Sequence, residues 1–176
     1  MAITLESRLI SFALKGTDEK VHRPEDFPGA KVLGVIFSCY HCPYAQAWEG
    51  RLIQIQLDYA GRGVQFLLIN SNDPAKYPDD SFSSMQRRAQ EKRYPFPYLF
   101  DETQEVARQY GATRTPEIFL FDERRVLRYH GAPDDNYEDP AAVRQPYLRN
   151  AIEALLAGKM PTPAETKPVG CTIKWR

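Results

Sequence analysis

The sequence predicts an α/β domain with a central mixed β-sheet flanked by helices, and three observations predict it. Val32-Leu33-Gly34-Val35-Ile36-Phe37 is an apolar run rich in β-branched and aromatic residues, the pattern of a strand buried on both faces. Ala45, Trp48, Leu52, Ile55 and Tyr59 then recur at three- and four-residue steps, so they share one stripe of a helix with Gln54, Gln56 and Asp58 largely off it. After Gly61-Arg62-Gly63 comes a second apolar run, Val64 to Ile69, which completes a βαβ unit with its right-handed crossover.

Taken in order, residues 9–14 read as a short strand, followed by turn residues Lys15 to Asp18 and a loop through Pro28-Gly29 in which His22 is a solvated histidine without a partner. In a βαβ sheet the ligand crevice lies beyond the carboxyl ends of the strands, so Asn70-Ser71-Asn72-Asp73 should share an edge with Cys39, with turn formation as their own role. A helix from about Ser81 to Lys92 turns Phe82, Met85 and Ala89 inward, and Tyr98 to Phe100 is a strand. Asp101 to Glu105 is a capped helix start and Gly111 ends that helix after Tyr110. Glu117–Phe121 and Val126–His130 form a hairpin closed by Asp122-Glu123-Arg124, and Tyr147 to Leu156 is a last amphipathic helix before Gly158. Residues 1–158 thus make one domain, and residues 159–176 a proline-rich tail that Ile173 and Trp175 dock on it.

Bulk properties narrow the function. Twenty-three basic residues balance twenty-three acidic ones, so no net field draws the chain to nucleic acid or an anionic membrane. The opening Met1 to Glu6 has an early acid and no long apolar run, which predicts the cytoplasm rather than secretion. Three cysteines are too few for a disulfide scaffold and fit a reactive pair plus one spare. The pair is Cys39 and Cys42, set where the first buried strand meets its helix. There the unpaired N–H groups and positive end of the helix favour a thiolate, lowering a cysteine pKa from about 8.5 to roughly 3.5–7.5. On this reading Cys39 is the nucleophile, and Cys42, one turn on, resolves the mixed disulfide; Pro43 suits a first helical turn. The competing reading is a zinc half-site, for which His41, His130 and Cys171 are the candidate further ligands at spacings unlike a zinc ribbon. Neither a metal nor another cofactor is expected.

With these residues in view, the chain resembles the thioredoxin superfamily. The resemblance rests on Cys39-Tyr40-His41-Cys42 between strand and helix and on Thr115-Pro116 entering a late hairpin. The long spacing between them, with its inserted helix and strand, resembles the branch shared by peroxiredoxins and thiol-disulfide interchange proteins, the AhpC/TSA type. Asp101-Glu102-Thr103-Gln104-Glu105-Val106-Ala107, Phe119-Leu120-Phe121-Asp122 and Gly170-Cys171-Thr172-Ile173-Lys174-Trp175 carry the likeness from Phe12 to Trp175. The resemblance implies a thioredoxin-like fold in which Pro116 is cis and faces the dithiol, with the backbone of Thr115 pairing with a substrate peptide. It also implies that His41 tunes the pair toward oxidation.

Three departures matter. Leu33 stands where thioredoxin keeps a buried acid, which leaves the general base unassigned; Glu49, two turns past Cys42, is a stand-in or an exposed helical residue. Tyr40-His41 replaces Gly-Pro, and Cys39 replaces the threonine of the peroxiredoxin Thr-X-X-Cys motif. Arg114 either reaches Cys39 or lies on the surface, and Cys171 is either a third reactive thiol or a spare one. Thiol-disulfide exchange with a disulfide-containing protein or a thiol reductant is the leading expectation, in a monomer or weak homodimer. Peroxide reduction by the same cysteines, or metal binding and redox sensing through Cys39, His41 and Cys42, are its alternatives.

Overall fold

The computed structural model describes residues 2–176. Its main sheet has seven strands: β1 (Leu14–Gly16), β2 (Val21–His22), β3 (Val32–Phe37), β4 (Val64–Asn70), β5 (Tyr98–Phe100), β7 (Glu117–Phe121) and β8 (Leu127–Gly131). They lie in the order β2-β1-β5-β4-β3-β7-β8. Strands β3, β4 and β5 are parallel, while β7 and β8 run antiparallel on one side and β1 and β2 on the other. The sheet is therefore mixed, as the βαβ unit and the hairpin require. A separate two-stranded ladder joins β6 (Arg114–Thr115) to β9 (Cys171–Thr172). No helix among the described residues is long and apolar enough to cross a membrane.

Each face of the sheet is covered, which explains why β3 reads as a continuous apolar run. Val32 and Ile36 point to the face covered by Leu52 and Ile55 of α1 (Pro43–Tyr59), Met85 of α2 (Phe82–Glu91) and Leu148 and Ile152 of α4 (Tyr147–Leu156). Leu33, Val35 and Phe37 point the other way, toward Val106, Ala107 and Tyr110 of α3 (Glu105–Tyr110). Between them Gly34 lets the rings of the next strand approach closely: a Cβ there would lie 2.7 Å from Cδ1 of Phe66.

The structure departs from the sequence expectation in three places. Residues 9–13 form no strand; they lie across the second face, where Leu9, Ile10 and Phe12 cover the core, and the strand begins at Leu14. The apolar residues were read as a strand because burial against a face gives the same pattern as a short buried strand. His22 falls in β2 and does have a partner, its Nε2 lying 2.9 Å from the Asp18 carboxylate. Gln56, off the apolar stripe, is buried nonetheless, because its amide serves the backbone of β4: Nε2 donates to Val64 O at 2.9 Å and Oε1 accepts from Phe66 N at 2.7 Å.

Two glycines separate close packing from open space. Gly34→Ala should lower stability by about 1–3 kcal/mol in urea unfolding, because the added methyl overpacks against Phe66. Gly50→Ala, on the exposed side of α1 with nothing within 4 Å of its Cβ position, should raise stability by about 0.5–1 kcal/mol.

Candidate active site

The site forms where β3 ends. Ser38, Cys39, Tyr40 and His41 follow it outside any helix, and α1 starts at Pro43 with Cys42 as its N-cap in extended conformation (φ −83°, ψ 123°). Pro43 explains this boundary: a residue before proline is disfavoured in the helical region, so Cys42 stays outside the helix that Pro43 opens. The positive end of α1 is thereby given to Cys42, its N-cap. The sequence reading placed that advantage at Cys39, which instead stands three residues ahead of the cap.

The opposite wall is the turn from β6 into β7, and Thr115–Pro116 is a cis peptide. Thr115, itself buried, touches both cysteines: its hydroxyl shares a 3.4 Å hydrogen bond with Cys39 Sγ, and its carbonyl accepts from Cys42 Sγ at 3.4 Å. A buried carboxylate clamps this turn from behind. Glu117 Oε1 accepts from the backbone N–H groups of Thr113 and Arg114, while Oε2 lies 2.7 Å from His130 Nε2. Burial opposes charge on the His130 imidazole, yet Glu117, with Glu165 at 3.1 Å, prevails and raises its pKa above the ordinary value.

The floor comes from an unexpected residue. Asp80, fully buried just before α2, accepts from Tyr40 N at 2.7 Å and from Asn72 Nδ2 at 3.0 Å, so it pins the loop between the two cysteines. The half-buried His41 stacks on Tyr77 and turns Nδ1 toward Asp80 Oδ2 at 3.5 Å. Donor atoms of Cys39, His41 and Asp80 all lie within 4.8 Å of one another, so the metal-capable group has Asp80 where the sequence reading had Cys42. In the sequence, Asp79-Asp80-Ser81 resembles ordinary helix-start chemistry, and nothing local marks the second acid as buried. Glu49 is not the stand-in acid: it is engaged by Arg88 at 2.6 and 2.8 Å and by the Tyr94 hydroxyl.

In the reduced pair the Cys42 thiol donates to Thr115 O, and deprotonation gives up that bond and favours Cys42 over Cys39 for the charge. The Cys42 pKa is lowered to about 4, chiefly because the Cys39 thiol donates to it, with the Cys171 thiol and the Ala45 N–H adding to that. Cys39 is correspondingly raised, by keeping its proton in a hydrogen bond to Cys42, by burial and by the Asp80 charge. Cys39 is nevertheless the outer member, at 7% exposure against 0% for Cys42.

Cys171 reaches the same place from the tail. In the ladder of β6 and β9 it stands opposite Thr115, so the backbone edge expected to receive a substrate peptide is held by the protein's own chain. Arg114 does not turn to Cys39; its exposed side chain reaches Gly170 O at 3.3 Å. Asn70 to Asp73 do lie at this edge, but as latches rather than turn formers alone. Asn72 Oδ1 accepts from Lys174 N, Asp73 N donates to Lys174 O, and Asn70 Nδ2 donates to Asp80 O.

Comparison with known proteins adds the lineage. The model of the AhpC/TSA family matches residues 5–130. An uncharacterized conserved protein from Geobacillus kaustophilus is 40% identical, with a TM-score of 0.91 over 98% of this chain and 93% of that one. A hypothetical protein from Sinorhizobium meliloti 1021 is 34% identical, with a TM-score of 0.93 over 100% and 97%. The thioredoxin domain of a thiol-disulfide oxidoreductase from Bacteroides vulgatus, at 14% identity and a TM-score of 0.60 over 72% and 86%, shares the thioredoxin-like fold. No curated protein matches the chain.

Two measurements probe the buried acids. Asp80→Asn removes the charge that opposes a Cys39 thiolate, so the pH profile of Cys39 alkylation should move to lower pH; an unmoved profile would show that Asp80 only braces the loop. Because the His130 pKa is raised on folding, its pairing with Glu117 stabilises fully below about pH 6.5 and is lost as pH rises through the raised value. The urea midpoint should therefore fall between about pH 6 and pH 9, with a smaller fall in His130→Asn.

Proposed function

The chain belongs to the AhpC/TSA family, a family of thiol redox proteins, and on that premise we propose that it is a thiol-disulfide oxidoreductase cycling Cys39 and Cys42 between dithiol and disulfide. The observation that carries this reading is the pairing of the two sulfurs: Cys39 and Cys42 pack in one cluster at the start of α1, both touch Thr115 of the cis turn, and Cys39 is the more exposed of the two.

The geometry supports a definite order. When the proton passes from Cys39 to Cys42, the Cys39 thiolate attacks a disulfide sulfur of the partner; a mixed disulfide forms and one partner thiolate leaves, taking a proton from solvent. Loss of the Cys42 proton restores its favoured anion, which attacks Cys39 Sγ. The mixed disulfide breaks, the Cys39–Cys42 disulfide forms, and the second partner thiolate takes up the proton. In sum one disulfide is reduced to two thiols and the pair is oxidised; run backward with a thiol reductant, the same steps regenerate the dithiol. The N-terminus of α1 at Cys42 favours the anion of the resolving sulfur, which shortens the life of the mixed disulfide. Partners are a disulfide-containing protein or a thiol reductant, in the cytoplasm.

One observation favours a second reading, hydroperoxide reduction. An anionic Cys42 capping α1, beside a peptide edge already held by β9, suits a small oxidant. There Cys42 would take one peroxide oxygen as sulfenic acid, releasing an alcohol or water, and the Cys39 thiol would displace water to close the same disulfide.

Equilibration of Cys171→Ser with glutathione buffers, followed by alkylation and peptide mass mapping, tests the first reading: Cys39 and Cys42 should lose label together as a two-electron couple. In Cys42→Ser, glutathione should remain trapped on Cys39, and trapping on Cys42 in Cys39→Ser instead would reverse the assigned order. Stopped-flow mixing with hydrogen peroxide decides the second, because a rate no better than that of a free thiol eliminates it.

A further inference from the structure

Resting on that reading of the pair, we propose that Cys171 is a third redox thiol, which takes the disulfide over from Cys39 by forming a Cys42–Cys171 bond. The placement of β9 carries the inference. Cys171 stands in register with Thr115, the residue whose hydroxyl and carbonyl contact Cys39 and Cys42, so one backbone position gathers three sulfurs. Cys171 packs against the small apolar cluster of Cys39, Cys42 and Ala45.

The approach is built in. A Cβ at Gly170 would lie 2.0 Å from Thr115 O and 2.7 Å from its carbonyl carbon, so only glycine lets β9 come this close. Past Cys171, Ile173 is buried at 3% exposure and donates its N–H to Thr113 O. Two buried amide side chains then hold the next residue, Asn72 Oδ1 accepting from Lys174 N at 2.9 Å and Gln104 Nε2 donating to Lys174 O at 2.9 Å. Buried polar groups from the loops after β4 and β5 are thus committed to presenting one cysteine.

The transfer balances without a further reagent. The Cys171 thiol gives up its proton and its sulfur attacks Cys42 Sγ of the Cys39–Cys42 disulfide. The Cys42–Cys171 bond forms, the old bond breaks, and Cys39 leaves as a thiolate that takes the proton. The timing is set by charge. While Cys42 is an anion, burial and donation to Cys42 hold the Cys171 pKa up at about 11; oxidation of the pair removes the part due to Cys42 and leaves burial opposed by Lys174, so the Cys171 thiolate becomes easier to form. The result keeps Cys42 in the bond, replaces Cys39, at 7% exposure, by the more exposed Cys171, and returns Cys39 to its reduced state.

The experiment treats the reduced full chain with one equivalent of oxidised glutathione, quenches with an alkylating reagent and maps the label by peptide mass. The expected result is Cys39 alkylated with Cys42 and Cys171 linked. In Cys171→Ser the Cys39–Cys42 disulfide should accumulate instead, and in Gly170→Ala the yield of the Cys42–Cys171 link should drop at least tenfold. If wild type shows Cys39 linked to Cys42 with Cys171 alkylated, the relay is overturned while the oxidoreductase reading stands. If all three thiols are alkylated, both fall.

Discussion

Thr115 is the point on which the site depends. Its hydroxyl meets Cys39, its carbonyl meets Cys42, and its strand position meets Cys171. These contacts come from two distant stretches, the connection from β3 to α1 and the C-terminal tail. Neither flanking cysteine sits in regular structure, so what fixes their sulfurs is the turn opposite them. That turn is in turn held by Glu117, which accepts two backbone N–H groups of residues 113 and 114. A buried carboxylate that accepts such charge-assisted bonds is worth more than a neutral contact, and removing it would leave donors unpaired in the interior.

Asp80 plays the corresponding part on the other side, and it acts on charge as well as shape. Its carboxylate lies within 4.8 Å of Cys39 Sγ, where two like charges repel by about 3 kcal/mol at an effective dielectric of 20. The cluster therefore tolerates a second negative charge poorly, and a thiolate settles on Cys42, which has the helix end and two thiol donors to support it. The segment that intervenes between β4 and β5 supplies this acid. Leu33, at the position where a buried acid was sought along β3, belongs instead to the packed second face with Phe37 and Phe121.

What the sequence revealed follows from what each signal measures. The stripe Ala45, Trp48, Leu52, Ile55, Tyr59 located α1 with all five residues buried, because a helix with one face on a sheet has to repeat its apolar residues. Tyr147–Leu156 and the hairpin of β7 and β8 were legible for the same reason. Periodicity says nothing about polar groups buried for one another, so Gln56, Asp80 and Glu117 went unmarked. The helix cap was misjudged by one cysteine, though the Cys42-Pro43 pair held the signal: a residue before proline resists the helical conformation. Arg114 and Asn72 gained their roles from residues some sixty to a hundred positions away, which no local pattern reports.

The docking of the tail changes how the active-site edge should be understood. In an open groove, the N–H and C=O groups of Arg114 and Thr115 would be free to pair with any extended peptide, with main-chain bonds supplying affinity and little selectivity. Here β9 already pairs with them, and Ile173 and the amides of Asn72 and Gln104 secure it. A peptide arriving at Cys39 must compete with an internal strand tethered at high effective concentration, a contest it loses unless it also gains contacts elsewhere. Small thiols and hydroperoxides face no such contest, since they need only reach a sulfur. On the proposed thiol-exchange reading, occupation of the edge by the chain itself would filter partners by size, through main-chain pairing and not the chemistry of the cysteines.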